Sequence, residues 1–200
     1  MAFVLDETYL PATLTVGLMT DDAFADLCAE HPDLAFEMTA HGELIVMPPN
    51  FTLTGARNNF ISGKLLDWAL ADKRGLSFDS SSGWKLPNGA RRSADAAWID
   101  RGRIQNLAPG SLGKYWPICP DFVVELRSPS DRLRVLRDEM AEWLANGAQL
   151  GWLIDPETRS AEIYRPGHEP ELRTDLSRLT GEGPVAGFVL DLLPVWDPLA

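Results

Sequence analysis

Cysteine is scarce in this chain. Cys28 and Cys119 stand far apart in 200 residues, with no CxxC spacing and no histidine at ligand spacing, which excludes a zinc ribbon or a disulfide framework. Histidine is nearly as rare: His31, His41 and His168 have no serine or cysteine motif beside them that resembles a nucleophile elbow or a Cys-His pair, so hydrolysis through a side-chain nucleophile is disfavoured. His41 falls in a turn and His168 follows Pro166-Gly167, both surface settings. No run of about 18 apolar residues exists to span a bilayer, and the N-terminus lacks the basic-then-apolar pattern of a secretory signal, so the reading is a cytoplasmic protein. Lysine and arginine are absent from residues 1–50, which hold nine acids; of the net charge of −11, residues 51–200 carry only −2. The acidity is therefore local, and the overall charge does not exclude a polyanionic partner.

What is present fits one compact domain over residues 1–200: 45% hydrophobic content allows a sizeable core, and seven tryptophans imply much buried aromatic surface. Two stretches are locally basic. Lys85, Arg91, Arg92, Arg101 and Arg103 outnumber Asp95 and Asp100, and Arg127, Arg132, Arg134 and Arg137 outnumber Asp131. Such runs are most often solvated surface, so they permit a nucleic-acid partner without indicating one.

Thr20-Asp21-Asp22 reads as a capped, acidic helix start that runs until His31-Pro32. His41-Gly42 separates two strand-like runs, 36–38 and 43–47, and marks a hairpin. From Thr54, Phe60, Ile61, Leu65, Trp68 and Ala69 keep a helical rhythm until Lys73-Arg74-Gly75. Short extended runs follow around 76–78, 83–86 and 94–99. Residues 101–120, with Pro109-Gly110 and Pro117, read as a long connection of the kind that borders sites. Asp121 to Leu126 is the strongest strand, largely apolar as expected for a strand covered on both faces. After Ser128-Pro129-Ser130, Leu133, Leu136, Met140, Trp143 and Leu144 form a helical face that ends at Asn146-Gly147. Runs at 150–154 and 161–164 form a second hairpin, and 188–193 a last apolar segment. Together these predict an α/β (α+β) fold, a mixed central sheet flanked by helices.

One acid inside the strongest strand, Glu125, demands a partner, because an unpaired buried carboxylate costs several kcal/mol or loses its charge. Asp95 opens another strand, and if the two strands are neighbours both carboxylates can meet. A hard cation such as Mg²⁺ is normally held by one or two carboxylates plus water and phosphate oxygens. Arg127, two residues after Glu125, falls on the same strand face. Spacing alone leaves two readings: a metal pocket, or a buried Glu125–Arg127 ion pair that holds the sheet together. Asp95 taken singly reads as a turn or cap residue.

The runs FEMTAHGELIVMPP, TGARNNFISGKLLDWA, RRSADAAWI and PDFVVELRSPSDRLRVLRDEMAEWLANGAQLGWLIDP together resemble the Uma-two family of restriction-endonuclease-like proteins, over most of the chain. The resemblance implies a PD-(D/E)xK nuclease fold whose acids bind Mg²⁺, with Mn²⁺ as a substitute, and cut DNA phosphodiester bonds. It implies that Asp95 is the aspartate of the PD element, Glu125 the sheet acid and Glu37 the early glutamate, all three as metal ligands; Glu37 on its own reads equally as a solvated strand-end residue. Asp121 reads as a strand-start residue despite its preceding proline. In such chemistry the metal polarises the phosphate and lowers the pKa of an attacking water, while a cation offsets developing charge. Aromatic content and the resemblance point to a homodimer.

Two departures from the family pattern stand out. Ala94 replaces the PD proline, which leaves the ligand in place. On the helix after the SPS turn, where the family usually carries lysine, this chain has Glu139, a residue that alone would read as a solvated helix glutamate. Arg127 could supply the missing charge, although a guanidinium with a pKa above ~12 cannot act as a base. Two functions remain: a weak Mg²⁺-dependent endodeoxyribonuclease, or a catalytically silent nuclease-fold protein that binds nucleic acid or a protein partner. If the first holds, Glu139→Lys raises metal-dependent cleavage of plasmid DNA; equal or lower cleavage by the substituted protein would reject this.

Overall fold

A computed structural model describes residues 11–109 and 115–200; Gly110 of the expected turn lies outside them. The N-terminal part builds an antiparallel sheet of its own. Its strands are β1 (Ala12–Thr15), β2 (Ala35–Met38), β3 (Glu43–Met47), β5 (Trp84–Lys85) and β6 (Arg91–Arg92), in the order β1-β3-β2-β6-β5. α1 (Asp21–Glu30) sits against it, capped by the Thr20 hydroxyl, which accepts from the Ala23 N–H at 3.2 Å, with Asp21 and Asp22 complementing the helix dipole. The expected hairpin thus forms, as β2 and β3, but it recruits the later β5 and β6 instead of joining the central sheet.

The central sheet holds six strands. β4 (Gly75–Asp79), β7 (Ala96–Asp100), β8 (Phe122–Leu126), β9 (Leu150–Asp155), β10 (Ser160–Tyr164) and β11 (Glu171–Thr174) run in the order β11-β10-β9-β8-β7-β4. It is mixed: β8 and β9 are parallel, their neighbours antiparallel. Parallel partners need a long crossover, and α4 (Leu133–Ala145) provides it. β8, β9 and β10 are buried at every position, which is why their sequences are nearly continuous in apolar residues.

Strand alternation divides the core into two layers. Trp98, Phe122, Val124, Leu126, Trp152 and Ile154 face α2 (Thr52–Asp72), through Ile61 and Leu65, and the C-terminal segment through Phe188 and Trp196. That segment contributes β12 (Arg178–Thr180), β13 (Val189–Asp191) and the short α5 (Leu193–Trp196). Ala97, Ile99, Val123 and Leu153 face α4 through Met140 and Trp143. Gly151 lets α4 lie close: a Cβ there would run into the Met140 side chain.

The connection after β7 differs from expectation in carrying a helix, α3 (Arg101–Gln105). Asp100 caps it by accepting from the Gly102 N–H at 2.8 Å, and buried Asp121 ties it down, accepting from the Asp100 N–H at 2.8 Å and from Arg103 at 2.5 Å. Asp121 therefore has the strand-start role read from the sequence. No helix among the described residues is long and apolar enough to cross a membrane.

Phe122 is fully buried, edge-on to Trp152 with centroids 4.9 Å apart and near Phe188, so it joins sheet and C-terminal segment. Phe122→Ala is expected to cost about 3–5 kcal/mol in urea unfolding; a loss under about 1 kcal/mol would show that this layer repacks freely.

Candidate functional site

β7 and β8 are antiparallel neighbours with Ala96 opposite Val124 and Ala97 opposite Val123. Asp95 comes one residue before β7 and Glu125 lies inside β8, so the pairing of these strands brings the two residues to the same end of the sheet, near enough for the Asp95 charge to act on Glu125. The Asp95 carboxylate confirms the approach: its Oδ2 accepts from the Leu126 N–H at 2.8 Å, one residue past Glu125. The adjacency that the sequence left open is therefore met.

Each of the two acids is held by a neutral donor from a different helix layer. Asn58 on α2 donates its amide N–H to Asp95 Oδ1 at 2.6 Å, and Ser62 one turn later donates to the Asp95 carbonyl at 3.3 Å. The Trp143 indole N–H on α4 donates to Glu125 Oε1 at 2.9 Å. Glu125 is only 5% exposed. Among the described residues neither acid has a cationic partner in an ion pair.

Glu37, Glu139 and Glu142 complete the cluster and share one guanidinium. Arg92 on β6 donates to Glu37 Oε2 at 2.8 Å and to Glu142 Oε2 at 2.7 Å, with Glu139 Oε1 at 3.9 Å. The second oxygen of Glu37 accepts from the Ser93 N–H at 2.8 Å, and that of Glu142 from Asn88 at 2.8 Å. Glu37 is 4% exposed, so the solvated strand-end reading does not hold for it. Glu139 faces inward as well, its side chain only 13% exposed.

Burial and crowding shift Asp95, Glu125 and Glu139 in the same direction. Asp95 is pushed up to about 6, by burial first and by the nearby charges of Asp131 and Glu37, against the opposing hydrogen bonds from Leu126 and Asn58. Glu139 is pushed up to about 8 by burial and by Glu37, Asp95 and Glu142, with Arg92 opposing. Glu125 is raised well above the ordinary carboxylate range by burial and by Glu139, Asp95 and Glu37. Burial disfavours the charge on Arg92, yet Glu139, Glu37 and Glu142 keep it protonated more firmly than usual.

Arg127 departs from expectation. It lies just past β8, and its guanidinium turns to the end of the parallel neighbour β9, donating to Asp155 at 2.8 Å with Glu157 at 3.1 Å. Against the cost of burial, Asp155 is kept able to carry its charge by Arg127 and by the Glu157 N–H at 3.0 Å, whereas burial and crowding disfavour the charge on Glu125. Among the described residues no Glu125–Arg127 ion pair forms, which corrects both the sheet-pinning pair and the shared pocket. The cation in the cluster is Arg92, which in the sequence is one member of a basic run. Its only sequence signal is a position three residues before Asp95. Asn58 and Trp143 likewise show in the sequence as helix residues alone.

The basic stretches are largely paired internally. Lys85 and Arg91 bind Asp21, Arg92 the glutamates, Arg103 Asp121, Arg127 Asp155, and Arg137 Glu162. They do not amount to an uncompensated polycationic face. Among the described residues no three His, Cys, Asp or Glu side chains form a group that could hold a metal ion, so the three-carboxylate shell of Asp95, Glu125 and Glu37 is not assembled.

A family model named Uma2, described as "Putative restriction endonuclease", matches residues 21–193. Among solved structures, this chain is similar to a crystal structure titled a putative nuclease belonging to DUF820 from Anabaena variabilis ATCC 29413. The TM-score is 0.73 at 21% identity, over 89% of this chain and 97% of that one, a likeness of fold. A DrdV–DNA complex aligns with a TM-score of only 0.35 at 15% identity, over 60% of this chain and 12% of that one. Among curated proteins there is no match.

Between pH 5 and 8 the folded cluster binds more protons than the unfolded chain, whose carboxyls titrate near 4, so stability falls as pH rises through about 6 and about 8. The unfolding temperature measured in EDTA is expected to drop across this range, and Glu139→Gln to flatten the drop. A temperature that stays level or climbs in the unsubstituted protein would contradict the buried-acid description.

Proposed function

Because the chain belongs to the Uma2 family and has a nuclease-like fold, we propose that it is a divalent-metal-dependent endonuclease acting on DNA, with Asp95 and Glu125 as the acids that hold the cation. One observation carries this reading: these two carboxylates sit at the junction of β7 and β8, oriented by neutral donors and not neutralised by any basic side chain among the described residues. A hard cation needs only one or two carboxylates and keeps water for its remaining positions, so the pair fits a hydrated Mg²⁺ or Mn²⁺ although a three-carboxylate cage does not form. Bound there, such an ion would polarise a phosphodiester and lower the pKa of water beside it.

The chain's own residues would divide the remaining work. Glu37 and Glu142 fix Arg92, so its charge stands beside Glu139 without wandering. Arg92 would offset phosphate charge in the position that Arg127 does not reach. Trp143 and the apolar layer beneath α4 would exclude bulk water from the Glu125 side. Two copies acting together could cut both strands of a duplex in one encounter, the physical argument for a homodimer.

Glu139 favours a second reading, a nuclease fold that binds nucleic acid or a protein partner without turnover. It puts a carboxyl where the family usually carries a positive charge, and at about 8 that carboxyl is largely protonated and neutral at pH 7, so the position offers an approaching phosphate no cation. Calorimetric titration of Mn²⁺, run beside plasmid cleavage, separates the two. The endonuclease reading expects saturable binding and cleavage, both lost in the Asp95→Asn, Glu125→Gln double variant; binding without cleavage would favour the silent protein, and absence of both would remove the metal from this site.

A further inference from the structure

Asn58 is 5% exposed, and its side chain is only half satisfied: the amide nitrogen is spent on Asp95, while Oδ1 is buried and has no hydrogen-bond partner among the described residues. The orientation is fixed by chemistry, since a carboxylate can only accept and Asn58 must turn its N–H toward Asp95. A buried amide oxygen without a donor gives up its hydration and gains nothing in exchange. Asn58 stands in the first half of α2, a helix whose neighbouring buried positions, Ile61 and Leu65, are apolar and would accept a leucine at 58 on hydrophobic grounds alone. Retention of a half-satisfied amide beside one of the two uncompensated carboxylates calls for a reason.

We propose that Asn58 is a positioning residue with two working ends. Its N–H aims Asp95 without neutralising it, and its unpartnered Oδ1 accepts a hydrogen bond from the hydration shell of the cation that Asp95 and Glu125 hold. The inference rests on the metal reading above. A neutral amide suits the aiming of Asp95, because a lysine or arginine at the same place would fix the Asp95 rotamer equally well but would occupy the charge that the ion must find. The contact to the hydration shell needs an acceptor, because hard cations such as Mg²⁺ retain several waters whose protons are strong donors. Phosphodiester oxygens, being acceptors themselves, cannot satisfy the amide oxygen, so the group it awaits carries hydrogen. Partners that orient a metal's first ligands typically change its affinity by 10–100-fold when removed.

The test compares Mn²⁺ binding, by calorimetry, in the unsubstituted protein, in Asn58→Leu and in Asn58→Ser, together with unfolding in EDTA. The serine variant serves if leucine disturbs the fold, because its hydroxyl is too short to span from Asn58 to Asp95. The expected result is a loss of Mn²⁺ affinity of tenfold or more in either variant, with the unfolding temperature in EDTA changed by no more than a few degrees. In plasmid cleavage the same variants should need more Mn²⁺ for half-maximal rate and regain most of the rate at saturation, a split that a merely structural residue would not produce. Unchanged affinity in a folded variant overturns the role of Asn58 while leaving the metal site standing. Absence of saturable Mn²⁺ binding by the unsubstituted protein overturns the metal reading and the role of Asn58 with it.

Discussion

Around the start of β7, the carboxylates of Glu37, Asp95, Glu125, Glu139 and Glu142 crowd a largely desolvated space in which, among the described residues, the paired cation is Arg92, bound to the three glutamates other than Glu125. One positive charge cannot balance five negative ones, and desolvation makes each surplus charge expensive. The cluster must therefore hold protons or a cation. Everything else about the site follows from how that surplus is distributed.

The distribution is uneven. Arg92 and the peptide of Ser93 hold Glu37, and Arg92 with Asn88 holds Glu142, so this half is ionic and locked. The other half, Asp95 and Glu125, is held only by dipoles: a peptide N–H, an amide and an indole. Dipoles orient a carboxylate and lower its cost of burial, yet leave its net charge intact. The sheet creates this division, because β7 and β8 deliver the dipole-bonded pair while β2, β6 and α4 deliver the salt-bridged group.

Much of this architecture was legible in the sequence. The Thr20 cap, the periodicity of α2 and α4, and the unbroken apolar runs of β8 and β9 report local and burial constraints, and the chain carries them in order. Glu125 stood out for the same reason, an acid inside an apolar strand, whereas Asp95 gained its weight from its pairing with Glu125 and from the family resemblance. What stayed hidden depends on contacts far apart in the chain. The Arg92 to Glu37 bond joins residues 55 positions apart, and Arg127 found Asp155 and not Glu125 because β9 lies beside β8, a fact of topology that alternation along one strand does not contain. β5 falls within the extended run read at 83–86, but β6 was missed for a related reason: two residues long, it is defined by its partners β2 and β5 and not by its own propensity.

The uneven division also decides where a cation can enter. Competing for Glu37 would mean parting a nearly buried guanidinium from its carboxylate, and breaking one partner from a buried pair costs on the order of 3–5 kcal/mol. On the proposed metal reading, an ion entering at Asp95 and Glu125 would instead displace the protons that burial favours there and release them to solvent. Glu139 lies at the border of the two halves, within reach of Arg92's field yet titrating near 8, so its charge state tips the balance between them. A lysine at that border would add a second positive charge beside that of Arg92, which is pinned to Glu37 and Glu142. On the proposed metal reading, the glutamate would instead make occupation of the site depend on pH.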